Sequence, residues 1–343
     1  MSATATSTVQ RPRMIEPGDI GPNFALADQA GKRVELDADD IAGHFTVLVF
    51  CGGAADRVTL QSFAAAAQSL TEYDAKLFAI GAHGGAAPLP LLSDPEGRCR
   101  AAYLGEPAGD TTVVVLAPNR HVIAIVDGGD EAAAKAVGGI AAVAARRRPA
   151  TVMTPHPPVL IVPDVFSRAD CQRLITVFAL QGHVWLQPQH GGPMPAHDYK
   201  VRVPEYGRHD RIDHFIVNRD TNELIHSRFR TRLFPEIKKA YQYDITRYEP
   251  YRIACYEGER GGELHGHRDN TLPVVAHRRF AVSVNLNTEE FEGGELRYPE
   301  FGAETYRPET GAAIAFSCSM LHEAMHVTKG RRYVLLAFLG GEH

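Results

Sequence analysis

CYEGERGGELHGHRDN (Cys255–Asn270) and LHEAMHVTKGRRY (Leu321–Tyr333) are the two stretches that decide how this chain is read. The first places His267 and Asp269 two residues apart; the second holds His322 and, ten residues on, Arg332. On a β-strand, positions i and i+2 share a face. An extended segment here therefore sets the His267 imidazole and the Asp269 carboxylate on one side, able to grip one metal ion. A histidine from a distant strand, His322, completes a 2-His-1-carboxylate face and leaves the opposite coordination positions open. Open positions suit an iron(II) centre that must admit O2 and a co-substrate.

Working outward, short strands follow one another after Tyr251: YRIACYE, RFAVSVNLN, GELRYPE, ETYRP, AAIAFS and RRYVLLAFL. Their spacing, with Gly, Pro and Asn between them, predicts an antiparallel sandwich or jelly roll. Upstream, VLIVPDVF reads as a strand and SRAD as a helix start, with Ser167 as the cap and Asp170 three residues on. The amino-terminal half instead alternates buried strands (FTVLVF, AKLFAIGA, TTVVVLAP, HVIAIVDG) with helical stretches (Arg57–Tyr73 and the Ala-rich EAAAKAVGGIAAVAARRR). That alternation predicts an α/β domain. The expected organisation is an α/β domain over 14–147, a proline-rich linker over 148–158 and a mainly-β domain over 159–343.

Composition bounds the function. At 343 residues the chain suits two domains, and 44% hydrophobic with 22% charged residues is ordinary for a globular protein. The net charge of −5 argues against a nucleic-acid partner. Five dispersed cysteines (Cys51, Cys99, Cys171, Cys255, Cys318) imply no disulfide framework. No apolar run of about 18 residues is present and the amino end lacks a signal-peptide core, so no membrane contact and a cytoplasmic location are expected.

Arg332 falls on the final strand with Val334, Leu336 and Phe338 on its face by alternation. A guanidinium among apolar side chains is costly unless it meets an anion, and its fork matches a carboxylate two-handedly. Tyr256, eleven residues before His267, lines the same pocket or adds a hydroxyl to that carboxylate.

From about Tyr251 to its end, the chain resembles the prolyl 4-hydroxylase branch of the 2-oxoglutarate- and iron(II)-dependent oxygenases. The matching pieces are ACYEGERGGELHGHRDN, RFAVSVNLN, EFEGGELRY and LHEAMHVTKGRRY, with the likeness closest to the hypoxia-inducible-factor prolyl hydroxylases around ACY and H-x-D-N. The resemblance implies a double-stranded β-helix in which His267, Asp269 and His322 bind iron(II). It implies that Arg332, helped by Tyr256, holds the distal carboxylate of 2-oxoglutarate. O2 would be consumed, with ascorbate as a candidate auxiliary reductant, and succinate and CO2 released as a substrate C–H is hydroxylated. Retention of Asp269 favours hydroxylation, since halogenating members replace that carboxylate.

One competing pattern is present. His322-Glu323-Ala324-Met325-His326 matches H-E-x-x-H, in which two histidines one helical turn apart bind zinc. It needs a helix where this chain predicts strands and short connections, and a third ligand is missing. His326 is then a loop residue near the pocket mouth and His265 a pocket or surface histidine. Cys255 and Cys318 read as small core residues, and Glu263 and Arg268 as part of a solvated loop.

EPGDIGPNFALADQAGKRVEL, HFTVLVFC and LSDPEGRCRAAYLG resemble peroxiredoxins and their thioredoxin-fold relatives over roughly residues 15–140. The family's peroxidatic cysteine would fall near Thr59, where the residues run Asp56-Arg57-Val58-Thr59; its activating arginine would fall near Thr111 or Thr112. Both are absent. Cys51 stands eight residues too early. A thioredoxin-like module without peroxidase activity is expected, kept for scaffolding, dimerisation or substrate contacts.

The substrate is not written in these motifs. A small amino acid or amino-acid-derived metabolite is the first expectation and a protein-prolyl substrate the second. Arg202, Arg208 and Arg211, within His197–Val217, are candidates for a substrate carboxylate, although an ordinary solvated surface is the expected reading of that segment.

Overall fold

The computed structural model describes residues 13–81, 89–147, 152, 156–185, 196–205, 209–260 and 262–341. The chain divides into two compact units, 1–150 and 151–343. The sequence-predicted linker lies mostly outside the described residues, as does Arg208. No helix among the described residues is long and apolar enough to cross a membrane.

Unit 1 is built on seven strands: β1 (Ala25–Asp28), β2 (Arg33–Glu35), β3 (Thr46–Phe50), β4 (Lys76–Gly81), β5 (Leu91–Ser93), β6 (Thr112–Leu116) and β7 (Val122–Asp127). Their order is β2-β1-β5-β4-β3-β6-β7, with β5, β4 and β3 parallel and the rest antiparallel. The continuous apolar strands are buried on both faces, as expected of sheets covered on both sides. Val47, Val49, Val113 and Val115 face Phe63, Leu70, Ala136 and Ile140; Leu48, Phe50, Val114 and Leu116 face Cys99, Tyr103 and Leu104. The helix expected over Arg57–Tyr73 is broken at Ala66 into α1 (Asp56–Ala65) and α2 (Ala67–Glu72). Two further helices follow, α3 (Arg98–Leu104) and α4 (Ala132–Ala144).

Unit 2 begins with β8 (Leu160–Val162) and α5 (Arg168–Leu180), which opens on a capping box: the Ser167 hydroxyl accepts from Asp170 N and the Asp170 carboxylate accepts from Ser167 N. Then come β9 (His183–Trp185), β10 (Tyr199–Glu205), β11 (His209–Phe215), α6 (Arg219–Arg228) and α7 (Phe234–Tyr241). The remaining strands are β12 (Arg247–Tyr248), β13 (Arg252–Glu257), β14 (Leu264–His267), β15 (Phe280–Asn285), β16 (Phe291–Gly293), β17 (Leu296–Arg297), β18 (Thr305–Tyr306), β19 (Ala313–Ser317), β20 (His322–Ala324) and β21 (Val327–Gly340). The larger sheet runs β8-β19-β15-β21-β13-β11-β10-β9, and the smaller runs β14-β20-β17-β18. This is a jelly-roll sandwich with helices on the outer face of its larger sheet.

Strand β21 pairs with β13 on one side and β15 on the other. Its period of two separates two cores. Leu335, Ala337 and Leu339 pack with helix residues Leu174, Ile225, Phe229 and Ile237. Val334 and Phe338 join Tyr256, Leu296, Tyr298 and Phe316 between the sheets. Arg332 belongs by alternation to the second set.

Candidate metal centre and its cavity

His267, the last residue of β14, pairs with His322, the first of β20, so two imidazoles stand side by side across an antiparallel ladder, ring centroids 4.4 Å apart. Asp269 corrects the strand-face expectation. It lies beyond the end of β14, in a turn, and no i, i+2 pleat delivers it. Its position is set by Asp269 N donating to Cys318 O at 2.9 Å and by Arg278 Nη1 donating to Asp269 O at 3.2 Å. Arg278 is itself held by Glu249 through two contacts of 2.6 Å and lies 3.7 Å from the centroid of the Phe338 ring. The turned carboxylate reaches both rings: Oδ1 is 3.3 Å from His267 Nε2 and Oδ2 is 3.4 Å from His322 Nε2.

The ligating atoms of His267, Asp269 and His322 all lie within 4.8 Å of one another. The chemistry of the donor set fits a metal. His267 Nδ1 is 2.8 Å from His265 O and His322 Nδ1 is 3.0 Å from Met320 O. A ring nitrogen facing a carbonyl must carry the proton, so in the neutral ring each Nε2 offers its lone pair, as metal-ligating histidines do. Burial, only partly opposed by Asp269, lowers the pKa of His322 and favours the neutral ring. For Asp269, burial acts upward but the hydrogen bond and charge of the two histidines outweigh it, so its pKa is lowered. Exposure of the side chain falls from 32% at His267 to 6% at His322, which puts the open side of the site at His267.

These three residues share one cavity of about 310 Å³ with Arg332, Tyr256, Phe316, Leu336 and Phe338. Arg332 is 2% exposed and meets no acidic side chain in an ion pair among the described residues. Its Nη2 donates to Asn285 Oδ1 at 3.2 Å and Ser283 Oγ at 3.4 Å, while its buried Nε has no partner. The guanidinium sits 5.3 Å from the Tyr256 ring centroid. The Gly293-Gly294 pair of EFEGGELRY leaves it room. Gly294 has φ +70°, and a Cβ there would stand 3.0 Å from Arg332 Cδ and 2.9 Å from Val327 Cγ2.

Arg211 is not on a solvated surface. Its side chain is 13% exposed, lines the cavity and donates to the Tyr256 hydroxyl at 3.4 Å. Arg252, which the sequence did not single out, lines it too. The available signal was the alternation of RIDHF: Arg211 and Asp213 share one face of β11 and His214 faces the other. Arg202, on β10 opposite Ile212, is half-buried and does not line the cavity.

The H-E-x-x-H stretch is extended, not helical. His322–Ala324 is strand β20, Glu323 pairs with Arg297, and His326 is exposed between β20 and β21. His265 is exposed near Glu263, Arg268 pairs with Glu300, and Cys255 and Cys318 are buried. In unit 1, the Thr59 hydroxyl donates to Ala55 O and accepts from Gly129 N, and Thr111 donates to Asp56. Cys51 is half-buried, and burial together with Asp56 pushes its thiol up to about 11.

Residues 251–340 match the profile of the 2OG-Fe(II) oxygenase superfamily. A curated relative, the multifunctional procollagen lysine hydroxylase and glycosyltransferase of Caenorhabditis elegans, is 29% identical over 91 residues; the match spans 25% of this chain and 12% of that protein's length. Among solved structures, a 2OG-Fe(II) oxygenase family oxidoreductase from Burkholderia pseudomallei aligns over 53% of this chain and 85% of its own, at 17% identity and TM-score 0.40. Peroxidoxin BcpB from Mycobacterium tuberculosis aligns over 38% of this chain and 98% of its own, at 23% identity and TM-score 0.33.

Proposed function

With residues 251–340 carrying a 2OG-Fe(II) oxygenase domain, we propose that the chain is a 2-oxoglutarate- and iron(II)-dependent hydroxylase acting on a small amino acid or amino-acid-derived molecule. The observation that carries this reading is one cavity holding both the His267–Asp269–His322 cluster and the buried guanidinium of Arg332, which meets no acid in an ion pair among the described residues. Iron(II) in that cluster, with O2 and 2-oxoglutarate, supplies the oxidising power for C–H hydroxylation with release of succinate and CO2. The rest falls to the chain. Met320 O and His265 O fix the two rings so that both Nε2 atoms face Asp269. Arg278 and Cys318 hold the turn that presents the carboxylate. Arg332 offers a carboxylate the donors not taken by Asn285 and Ser283, and Phe316, Leu336 and Phe338 keep bulk water from the enclosed end.

The size of the cavity supports a small substrate. A cavity of about 310 Å³ is at the low end for ligand sites, and the co-substrate occupies part of it. A second reading, a prolyl peptide, is favoured by an adjoining cleft of about 700 Å³ that shares Phe338 and is lined by Tyr248, His277 and Arg278. Unit 1, with Thr59 satisfied by backbone partners, has no peroxidatic thiol at that position and is read as a thioredoxin-like module for scaffolding, dimerisation or substrate contacts. The test is anaerobic addition of iron(II) and 2-oxoglutarate, which should raise a weak visible charge-transfer band only when both are present. Product mass spectrometry on free amino acids against proline-rich peptides then separates the two substrates. Zinc-supported peptide hydrolysis without that band would replace the reading with a protease.

A further inference from the structure

The cavity holds more positive charge than the proposed reaction uses. Arg211 and Arg252 stand on neighbouring strands, β11 and β13, and both line the cavity beside Arg332. Among the described residues they form ion pairs with a single acid, Asp213, which is 1% exposed. Arg211 Nε lies 2.8 Å from Asp213 Oδ1 and its Nη2 donates to Oδ2 at 3.0 Å; Arg252 Nη1 is 3.6 Å from Oδ2. The Nε of Arg252 is buried with no hydrogen-bond partner. One carboxylate thus serves two guanidiniums, and poorly serves the second. Glu249, the other acid whose charge reaches Arg252, is already held by Arg278, so Asp213 is left to share between the two. In a site of low dielectric, a buried charge left uncompensated is expensive, and an anionic ligand relieves it.

We propose that Arg211 and Arg252 form a second anion subsite, separate from Arg332, that grips a carboxylate on the substrate to be hydroxylated. The inference rests on the oxygenase reading above for the presence of a co-substrate at Arg332. Tyr256 orders the two subsites. Its ring centroid lies 5.3 Å from the Arg332 guanidinium and 5.9 Å from that of Arg211. Because the Tyr256 hydroxyl accepts from Arg211 Nη1, its proton is free to donate into the cavity. The substrate carboxylate is either the α-carboxylate of a free amino acid or an acidic side chain of a short peptide.

The test is binding to the full chain loaded with nickel(II) and 2-oxoglutarate, measured by calorimetry. The probes are free L-amino acids, their α-amides, and end-capped tripeptides containing Asp or Glu beside their Asn or Gln counterparts. A carboxylate ligand should bind at least about tenfold more tightly than its amide, the worth of a charge-assisted hydrogen bond. Arg211→Gln and Arg252→Gln should each bring that ratio down towards one, and Arg211→Lys should retain part of it. A free amino acid as the best ligand assigns the α-carboxylate; a capped acidic peptide assigns the side chain. The proposal is overturned if amides bind wild-type protein as well as acids, if the ratio survives in both Gln variants, or if no probe binds. The acid–amide comparison on wild-type protein stands even if a variant fails to fold. Failure of the oxygenase reading shows earlier and separately, as absence of nickel and 2-oxoglutarate binding at the loading step.

Discussion

Replacing Arg332 with Met separates what the guanidinium does for the fold from what it does for the ligand. Its burial without an acidic partner costs several kcal/mol. Two long hydrogen bonds, to Asn285 and Ser283, return about 1.5–3 kcal/mol each, and the Tyr256 ring up to about 2 kcal/mol. These nearly cancel, and Met fills most of the volume. Unfolding of ligand-free Arg332→Met should therefore stay within about 2 kcal/mol of wild type. Co-substrate binding should not. Truncating one partner of a buried charge pair costs roughly 2–5 kcal/mol, and 2.7 kcal/mol corresponds to about 100-fold in affinity. At a 2-oxoglutarate concentration about 100 times the wild-type Kd, ligand stabilises wild type by about 2.7 kcal/mol and the variant by about 0.4 kcal/mol. The assay is urea unfolding of the metal-loaded, anaerobic protein with and without 2-oxoglutarate. In a thermal scan the lost increment is roughly 4–9 °C for a unit of this size. Equal stabilisation of both proteins by 2-oxoglutarate would refute the carboxylate clamp, and collapse of the ligand-free variant would make Arg332 a structural residue.

Alanine at His267, Asp269 or His322 should abolish succinate formation and the charge-transfer band, while Glu323→Gln and His326→Ala retain most activity, as measured by coupled succinate release. Gly294→Ala should cost about 1–2 kcal/mol for its left-handed backbone and more for the contact with Arg332 Cδ, and should raise the KM for 2-oxoglutarate. His214, with its ring buried and bonded to Asp198 at 2.9 Å, has its pKa lowered chiefly by burial against the opposing pull of Asp198; the Asp198 pKa is lowered too, its hydrogen bonds outweighing burial. A depressed folded pKa gives stability that is present above the unfolded value and lost as pH falls. The unfolding midpoint of unit 2 should therefore drop as pH falls below the ordinary histidine range, and His214→Asn should flatten that slope. Cys51, held as a thiol up to about pH 11, should react slowly with iodoacetamide at pH 7 and confer no peroxide turnover; robust turnover lost in Cys51→Ser would make unit 1 an enzyme.

The grouping of His267, Asp269 and His322 was legible because they fall in short motifs, and the buried Arg332 because a charged residue interrupts an apolar alternation. What the residues alone misplaced was the route of Asp269, since a turn anchored by Cys318 and Arg278 has no signature in H-x-D spacing. The segment His197–Val217 looked solvated for a physical reason. Its strands β10 and β11 extend the larger sheet, and the cavity-side face of β11 carries Arg211 and Asp213 where a strand packed on a core would carry Val or Leu. A polar cavity inverts the hydrophobic pattern on which strand recognition depends. Unit 1 was easier, because its central strands are apolar on both faces.

The alternation of β21 has a consequence for how the site comes into being. Arg332 and Tyr333 are adjacent on one strand yet belong to opposite sides of a sheet, one inside the cavity and one beneath the helices, packed on Phe178. A slip of one residue against β13 and β15 would exchange them, driving the guanidinium into the helix-packed interior and leaving a phenol at the place proposed for the co-substrate. The same slip would turn Leu335, Ala337 and Leu339 away from their helices. Chains in the wrong register are thus rejected by loss of the helical core before they can bind anything. Folding itself inspects the proposed site, and an insertion or deletion anywhere along Arg331–Leu339 would be eliminated as a folding defect, whatever it did to catalysis.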